Sequence, residues 1–448
     1  MYRLILITRY LLKRRITHFA MLAVALCVFT VVVVMTVMIG LVGGFKQKNH
    51  GFVGDCVVGT ESLVGFPYYE EFMTLAEQSG LVEGISPVVK SYALYGTEIT
   101  DNYDNVEIIG LDPIRHSQAT DFAQTLDFHG DRPEGAFVPT YDANLPGCIL
   151  GIDRVSRRDD RGQYAHYNAP FRASVTLMCF PLNAKGAPAG AGTNPTATKR
   201  FYYSDNIHTG IAAVDYGYVF LPLDQAQALC MSGQEKRITA LHIKFRPNVQ
   251  LQEGCRRMAE LWERFRADKA KAPNGDLLKT VNVQSWKEYR RAVVAPMEQE
   301  QLMLSMMFTL VGITTVFIVF VVFYMVVNSK KKDIGVLKSV GASNTGVLSL
   351  FQGFAFGIGL IGSCVGILFG WLFLSWINQI EQFCYKHFGI QLWDRTVYVI
   401  GAIPNHVDPS ALAVIMFCAI LACLVGALVP SYLAVRLRPV ETLHAGRT

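Results

Sequence analysis

Four uninterrupted apolar runs organise this chain: Phe19–Val42, Leu302–Val327, Val347–Ile377 and Ala411–Val435. A helix needs roughly 20 apolar residues to cross a hydrocarbon core, and each run meets that length without an Asp, Glu, Lys or Arg inside it. The first run follows Lys13-Arg14-Arg15, as a signal peptide would. Its length and the lack of a small-x-small cleavage site predict an uncleaved anchor instead. Between the first and second runs the pattern changes. Short apolar stretches bounded by turn residues predict strands at Val57–Gly59, Val106–Gly110, Val175–Phe180, Tyr218–Leu221 and Leu241–Phe245. Helical spacing predicts helices over Pro67–Ser79 and Leu251–Arg266, the second with Cys255, Met258, Leu261, Trp262 and Phe265 on one face. The expected fold is a membrane α-helical protein with four transmembrane helices. A large mixed α/β extracytoplasmic domain is inserted between helices 1 and 2.

Charge sets the expected orientation. Arg3, Arg9, Lys13, Arg14 and Arg15 precede the first span, Lys330, Lys331, Lys332 and Lys338 lie between spans two and three, and Arg436, Arg438 and Arg447 follow the fourth. Positive residues near span ends stay on the cytoplasmic side. Both termini and the Lys-rich loop are therefore expected in the cytoplasm of a multi-pass protein of the plasma (inner) membrane. The expected divisions are 1–43 (N-terminus and helix 1), 44–300 (extracytoplasmic domain) and 301–328 (helix 2). They continue with 329–346 (cytoplasmic loop), 347–378 (helix 3), 379–409 (extracytoplasmic loop) and 410–448 (helix 4 and tail).

Composition agrees with a membrane class. Hydrophobic residues make up 51% of the chain and charged residues 17%, against about a quarter in soluble domains. The net charge of +5 gathers beside the apolar runs, which points to lipid headgroups and excludes nucleic acid as a partner. Ionisable residues near the midplane usually mark ion-coupled carriers; here the spans carry none.

Candidate chemistry is sparse. There is no Gly-x-x-x-x-Gly-Lys-[Ser/Thr] phosphate loop, Gly-x-Ser-x-Gly or His-Glu-x-x-His, and His116, His129, His166, His208 and His242 have no ligand spacing. The expectation is a non-enzymatic subunit with no catalytic residues, no metal and no cofactor of its own. Cys56, Cys148, Cys179, Cys230 and Cys255 fall in the middle domain. An oxidising compartment would allow one or two disulfides among them, while the odd count argues against a full framework. Gly353, Gly357, Gly362, Gly366 and Gly370 recur in the third span by fours with one five-residue step. Small residues at this spacing let helices approach closely, within the chain or between subunits. Asn183–Thr198 is rich in Gly, Ala, Pro and Thr and predicts a loop between two strands, either a tolerated insertion or a docking arm. Ser329–Ser343 predicts a short amphipathic helix with Gly341 as its stop and Ser343 starting the next. Such a helix could rest on lipid headgroups or plug into a cytoplasmic protein.

At this loop the sequence becomes familiar. Lys330–Ser343, KKKDIGVLKSVGAS, resembles the coupling segment of ABC transporter permeases in the lipoprotein-releasing, macrolide-exporter and cell-division (FtsX-like) superfamily. The closing stretches Val429–Ala434 and Arg438–Leu443 are similar to that superfamily's end. Ile85–Val88, Ile109–Pro113, Pro146–Gly151, Thr209-Gly210 with Asp215, Gly217–Gln227 and Ser285-Trp286 resemble blocks of its lipoprotein-releasing branch, in the same order. The resemblance implies a permease that pairs with a second protomer, identical or paralogous, and with cytoplasmic ATPase subunits that hold ATP and Mg. It implies coupling through Lys332, Asp333, Ile334, Leu337, Val340 and Gly341. It implies a substrate cavity between spans one and two near Met35, Met38, Met303 and Met307. It also implies a loop for a soluble lipoprotein carrier at Pro181–Lys199, with Pro181, Asn183, Pro188, Pro195 and Lys199. The expected function is mechanotransmission that extracts lipoproteins from the outer leaflet. The alternatives are a macrolide-exporter-like efflux permease and a signalling scaffold for a cell-wall hydrolase.

Overall fold

A computed structural model describes residues 15–97, 100–156, 164–165, 169–188, 196–232, 236–329, 334, 336, 338–388 and 403–436. In chain order the main elements are α1 (Arg15–Val53), β1 (Cys56–Gly59), α2 (Tyr69–Gln78), β2 (Val82–Thr97), β3 (Thr100–Leu111), α3 (Pro113–Ala119), β4 (Gly147–Gly151), β5 (Ser174–Cys179) and β6 (Ala197–Ile207). They continue with β7 (Tyr218–Pro222), α4 (Leu223–Cys230), β8 (Ala240–Phe245), α5 (Leu251–Asp268), β9 (Asn282–Ser285), α6 (Arg291–Ser329), α7 (Asn344–Phe388) and α8 (Pro409–Arg436). The chain forms two compact units. One comprises Met1–Gly43, Pro296–Trp393 and Ala402–Thr448, and the other Gly44–Ala295 with Asp394–Gly401.

The first unit is built on four helices long and apolar enough to span a membrane. Helices α1 and α6 have 39 residues each. At 1.5 Å per residue that is roughly 58 Å, almost twice a hydrocarbon core of about 30 Å. The surplus is polar, with Lys46, Gln47, Lys48 and Asn49 ending α1 and Glu298, Gln299 and Glu300 opening α6. The boundary between the units falls at Gly43/Gly44 in α1 and at Ala295/Pro296 in α6.

Small residues set the crossings. A Cβ on Gly362, Gly366 or Gly370 of α7 would stand 2.9 Å, 2.6 Å or 3.0 Å from Val24, Ala25 or Val32 of α1 respectively. Gly359 faces Cys423 of α8, and Gly426 of α8 faces the Val316 carbonyl of α6. Gly353 and Gly357 are only half-buried. At 100° per residue the step from Gly357 to Gly362 turns the stripe by about 140°, so the first two glycines lie on another side of α7 from the last three.

The second unit is a mixed sheet ordered β3-β7-β4-β6-β5-β2-β8-β1-β9. The sheet also closes on itself, because β2 pairs with β3 along Val88–Thr97. The 16 residues of β2 make this closure feasible: Val82–Val88 pair with β8 and Leu94–Thr97 with β5. Helices α2 and α5 cover one face. Their cluster has Trp262 at its centre, with Phe72 at 4.7 Å and Phe66 at 5.5 Å in edge-on contact, the geometry ring quadrupoles favour.

Candidate substrate cavity, coupling segment and docking loop

The membrane unit holds a cavity of about 510 Å³ between α1, α6 and α8, within the 300–1,000 Å³ of small-ligand sites. Helix α1 contributes Val24, Cys27, Val28, Val31 and Met35. Helix α6 contributes Ser305, Phe308, Thr309, Gly312 and Thr315, and α8 contributes Val414, Cys418, Leu421 and Val425. The hydroxyls turn back onto their own helix, and that of Thr315 also lies 3.0 Å from the Cys27 thiol of α1. Ser305 donates to the Gln301 carbonyl at 3.0 Å, Thr309 to the Ser305 carbonyl at 2.9 Å and Thr315 to the Val311 carbonyl at 2.9 Å. What remains is an apolar surface with no side-chain charge, suited to hydrocarbon.

Of the four methionines expected at a cavity, Met35 lines this one. Met38 is half-buried elsewhere on α1. Met303 and Met307 are 55% and 62% exposed and form, with Met306, Leu310 and Phe317, an apolar stripe along α6 that no described residue covers. Periodicity explains the split: Ser305, Thr309, Gly312 and Val316 fall on one face, and Met303 and Met307 stand about 200° from Ser305. Helix α8 as a wall of the cavity was not foreseen, since nothing in its even hydrophobicity distinguishes a lining face.

The coupling segment is described at Ile334, Val336 and Lys338–Ser343; Lys332, Asp333 and Leu337 lie outside the described residues. Ile334 is 2% exposed and packs into the membrane unit with Val347, Phe351 and Ala434. Lys338 donates through Nζ to the Val435 carbonyl at the end of α8. Val340 is 84% exposed. The Gly341 N–H donates to the Lys338 carbonyl at 3.0 Å, and its φ of +99° is one an L side chain rarely adopts. Ser343 then accepts the Gly346 N–H at 3.1 Å and opens α7 as an N-cap. The segment thus turns one side into its own unit and leaves Val340 at the rim.

The candidate docking loop joins β5 to β6. Residues 189–195, including Pro195, lie outside the described residues. Its first turn is an Asx turn: the Asn183 side chain accepts the N–H groups of Lys185 at 2.9 Å and Ala187 at 3.1 Å. Pro181 is half-buried and Pro188 exposed. Lys199 belongs to β6, where it pairs with Leu177 of β5 and reaches Gln225 of α4. The root of the loop is held by Arg237, only 1% exposed, which donates to the carbonyls of Leu182 at 2.8 Å, Ser232 at 2.9 Å and Val64 at 2.9 Å. Nothing around Arg237 in the sequence marked it as the anchor of a loop some 50 residues earlier.

The Thr209-Gly210 block also acquires a reason. Asp215 is fully buried and accepts the Thr209 N–H and hydroxyl at 2.8 Å and 2.7 Å and the Gly210 N–H at 3.0 Å. Burial raises its carboxyl despite these donors.

Residues 305–439 match the family model FtsX-like permease C-terminal. The chain is 23% identical over 447 residues to lipoprotein-releasing system transmembrane protein LolC of Xylella fastidiosa, covering 97% of both chains. It is 20% identical over 446 residues to lipoprotein-releasing system transmembrane protein LolE of Haemophilus influenzae, covering 96% of this chain and 94% of that one. Among solved structures, the periplasmic region of MacB from Actinobacillus actinomycetemcomitans is similar at TM-score 0.31 and 10% identity, covering 54% of this chain and 93% of that one. Over residues 305–439 this chain matches the FtsX-like permease C-terminal model, and along nearly its whole length it is similar to the transmembrane proteins of lipoprotein-releasing systems.

Proposed function

We propose that this chain is the permease subunit of an ATP-driven transporter that draws acylated proteins from the outer leaflet of the plasma membrane and passes them to a soluble carrier. The observation that carries this reading is the uncharged, largely apolar cavity between α1, α6 and α8, whose three α6 hydroxyls each donate to a carbonyl one turn back on α6. Such a wall suits acyl chains and offers no charge to a hydrophilic cargo. The bare stripe through Met303 and Met307 supports a second protomer across which the cavity widens. Basic residues beside the spans support cytoplasmic termini and an extracytoplasmic β-rich unit. The exposed rim at Val340 supports docking of an ATPase subunit, which would bring ATP and Mg.

The test is photo-crosslinking from Phe308 and, as a control, from Phe369, which is exposed on α7 outside the cavity. Cells are fed a radiolabelled fatty acid and the adducts separated. Labelled lipoprotein joined to position 308 and absent at 369 is expected. A hydrophobic drug or no adduct at 308 overturns the lipoprotein reading. Co-purification of the tagged chain with an efflux adaptor or a cell-wall hydrolase, in place of lipoproteins, replaces it with the corresponding alternative.

A further inference from the structure

The β-rich unit has five cysteines, Cys56, Cys148, Cys179, Cys230 and Cys255, and the fold sorts them. All five are free thiols in this structure. Cys56, on β1 and 0% exposed, lies beside Cys255 of α5, and each perturbs the other's thiol, Cys56 upwards and Cys255 downwards. Helix α5 reaches this point because residue 254 is glycine: a Cβ there would lie 2.7 Å from Phe245 of β8, the strand that pairs with Cys56 through Ile243. Cys179 closes β5, Cys230 closes α4, and these two free thiols likewise perturb each other, Cys179 downwards and Cys230 upwards. The backbone holds this second meeting in place. Three residues past Cys179, the Leu182 N–H donates to the Cys230 carbonyl at 3.1 Å. The Cys179 thiol donates to the Tyr92 carbonyl at 3.3 Å and lies 3.7 Å from the Ser91 hydroxyl. Cys148, buried in β4, takes part in neither contact, so the odd count resolves as two pairs and one single thiol.

We propose that Cys56–Cys255 and Cys179–Cys230 are disulfide bonds in the mature protein. The inference rests on the reading above that this unit lies outside the cytoplasm, where thiols are oxidised. In each pair two S–H bonds are lost and one S–S bond forms. The two electrons and two protons pass to a disulfide-carrying oxidoreductase, which is reduced to its dithiol. The Cys230 thiol lowers that of Cys179 against the opposing effect of burial. The bonds sit at two working points. One fixes the strand that follows α1, and the other fixes the root of the β5–β6 loop beside the Arg237 anchor.

The test uses the full-length tagged chain in its native membrane. Cells are lysed in denaturing detergent with N-ethylmaleimide and without reductant, and the chain is digested and its peptides identified by mass spectrometry. In parallel, intact spheroplasts are treated with protease to learn which side the β-rich unit faces. External cleavage, linked peptides 56–255 and 179–230, and maleimide on Cys148 alone among the five are expected. A reductant should then lower the melting temperature by several degrees, with no shift in a variant carrying Ser at all four paired positions. External cleavage with maleimide on all five cysteines, or with Cys148 in a bond, overturns the proposal and leaves the topology standing. External cleavage with one linked pair overturns the other assignment. Protection of the unit from external protease overturns the topology, and the disulfide proposal falls with it.

Discussion

Gly366 shows how one missing side chain holds two spans together. An added Cβ would meet the Ala25 carbonyl at 2.6 Å and the Val28 Cβ at 2.8 Å, atoms that cannot rotate away. Gly366→Val should force α7 from α1 and lower stability by about 1–3 kcal/mol, the usual cost of overpacking. Gly312→Ala, on α6 with nothing within 4 Å, should not lower it and should gain about 1 kcal/mol of helical preference. Thermal unfolding in detergent compares the two. The sequence showed the stripe but not that its five-residue step splits it between faces. Buried histidines make a second case. His116 and His242 lie 5.5 Å apart, with Ser86 bonded to the first. Burial drives His242 down to about 3 and His116 well below its usual value of 6.5. Both are neutral when folded and take protons only on unfolding. Their contribution is therefore complete above pH 6.5 and is lost as pH falls towards the folded values, by about 1.4 kcal/mol per pH unit for each. His242→Leu should flatten the fall of melting temperature between pH 6.5 and 5; an unchanged slope would show that the pair is not the source.

Among the elements, the spans were legible because long charge-free runs have one explanation, and β1, β3, β5, β7, β8 and α5 because their periodicity is clean. Strand β2 was not. Its residues are buried on both faces from Gly84 to Val89, so alternation vanishes, and Pro87 sits inside it. Strand β6 was hidden at its start, where Ala197 and Thr198 continue the composition of the loop before them. Two predictions belong at this scale. Val340→Asp should abolish co-purification of the ATPase, because Val340 is the exposed corner of the coupling segment, whereas Ile334→Asp should instead destabilise the membrane unit in which Ile334 is buried. Retention of the ATPase by Val340→Asp would remove the segment from that role. Replacing residues 184–196 with a short Gly-Ser turn should abolish carrier capture and spare ATP hydrolysis, since β5 and β6 remain paired at Cys179 and Ala197. Undiminished capture in a pull-down with the purified carrier would make the loop an insertion without that task.

At the scale of the whole molecule, the division into an apolar helical unit and a β-rich unit was readable from composition alone. The closure of the sheet and the Arg237 anchor were not, because both depend on contacts between distant parts of the chain. The two long helices that belong to both units add a mechanical consequence. A glycine pair costs α1 about 2 kcal/mol of helical preference relative to alanine. In α6, Pro296 removes one backbone hydrogen bond and crowds the Ala292 carbonyl. Each weak point falls at the residue where its helix passes from one unit to the other. Each of the two helices is therefore locally more compliant at that residue than along the rest of its length. On the function proposed above, stiffening both joints, with Gly43→Ala, Gly44→Ala and Pro296→Ala together, should alter how many ATP molecules are spent per cargo released, with the cavity itself left untouched.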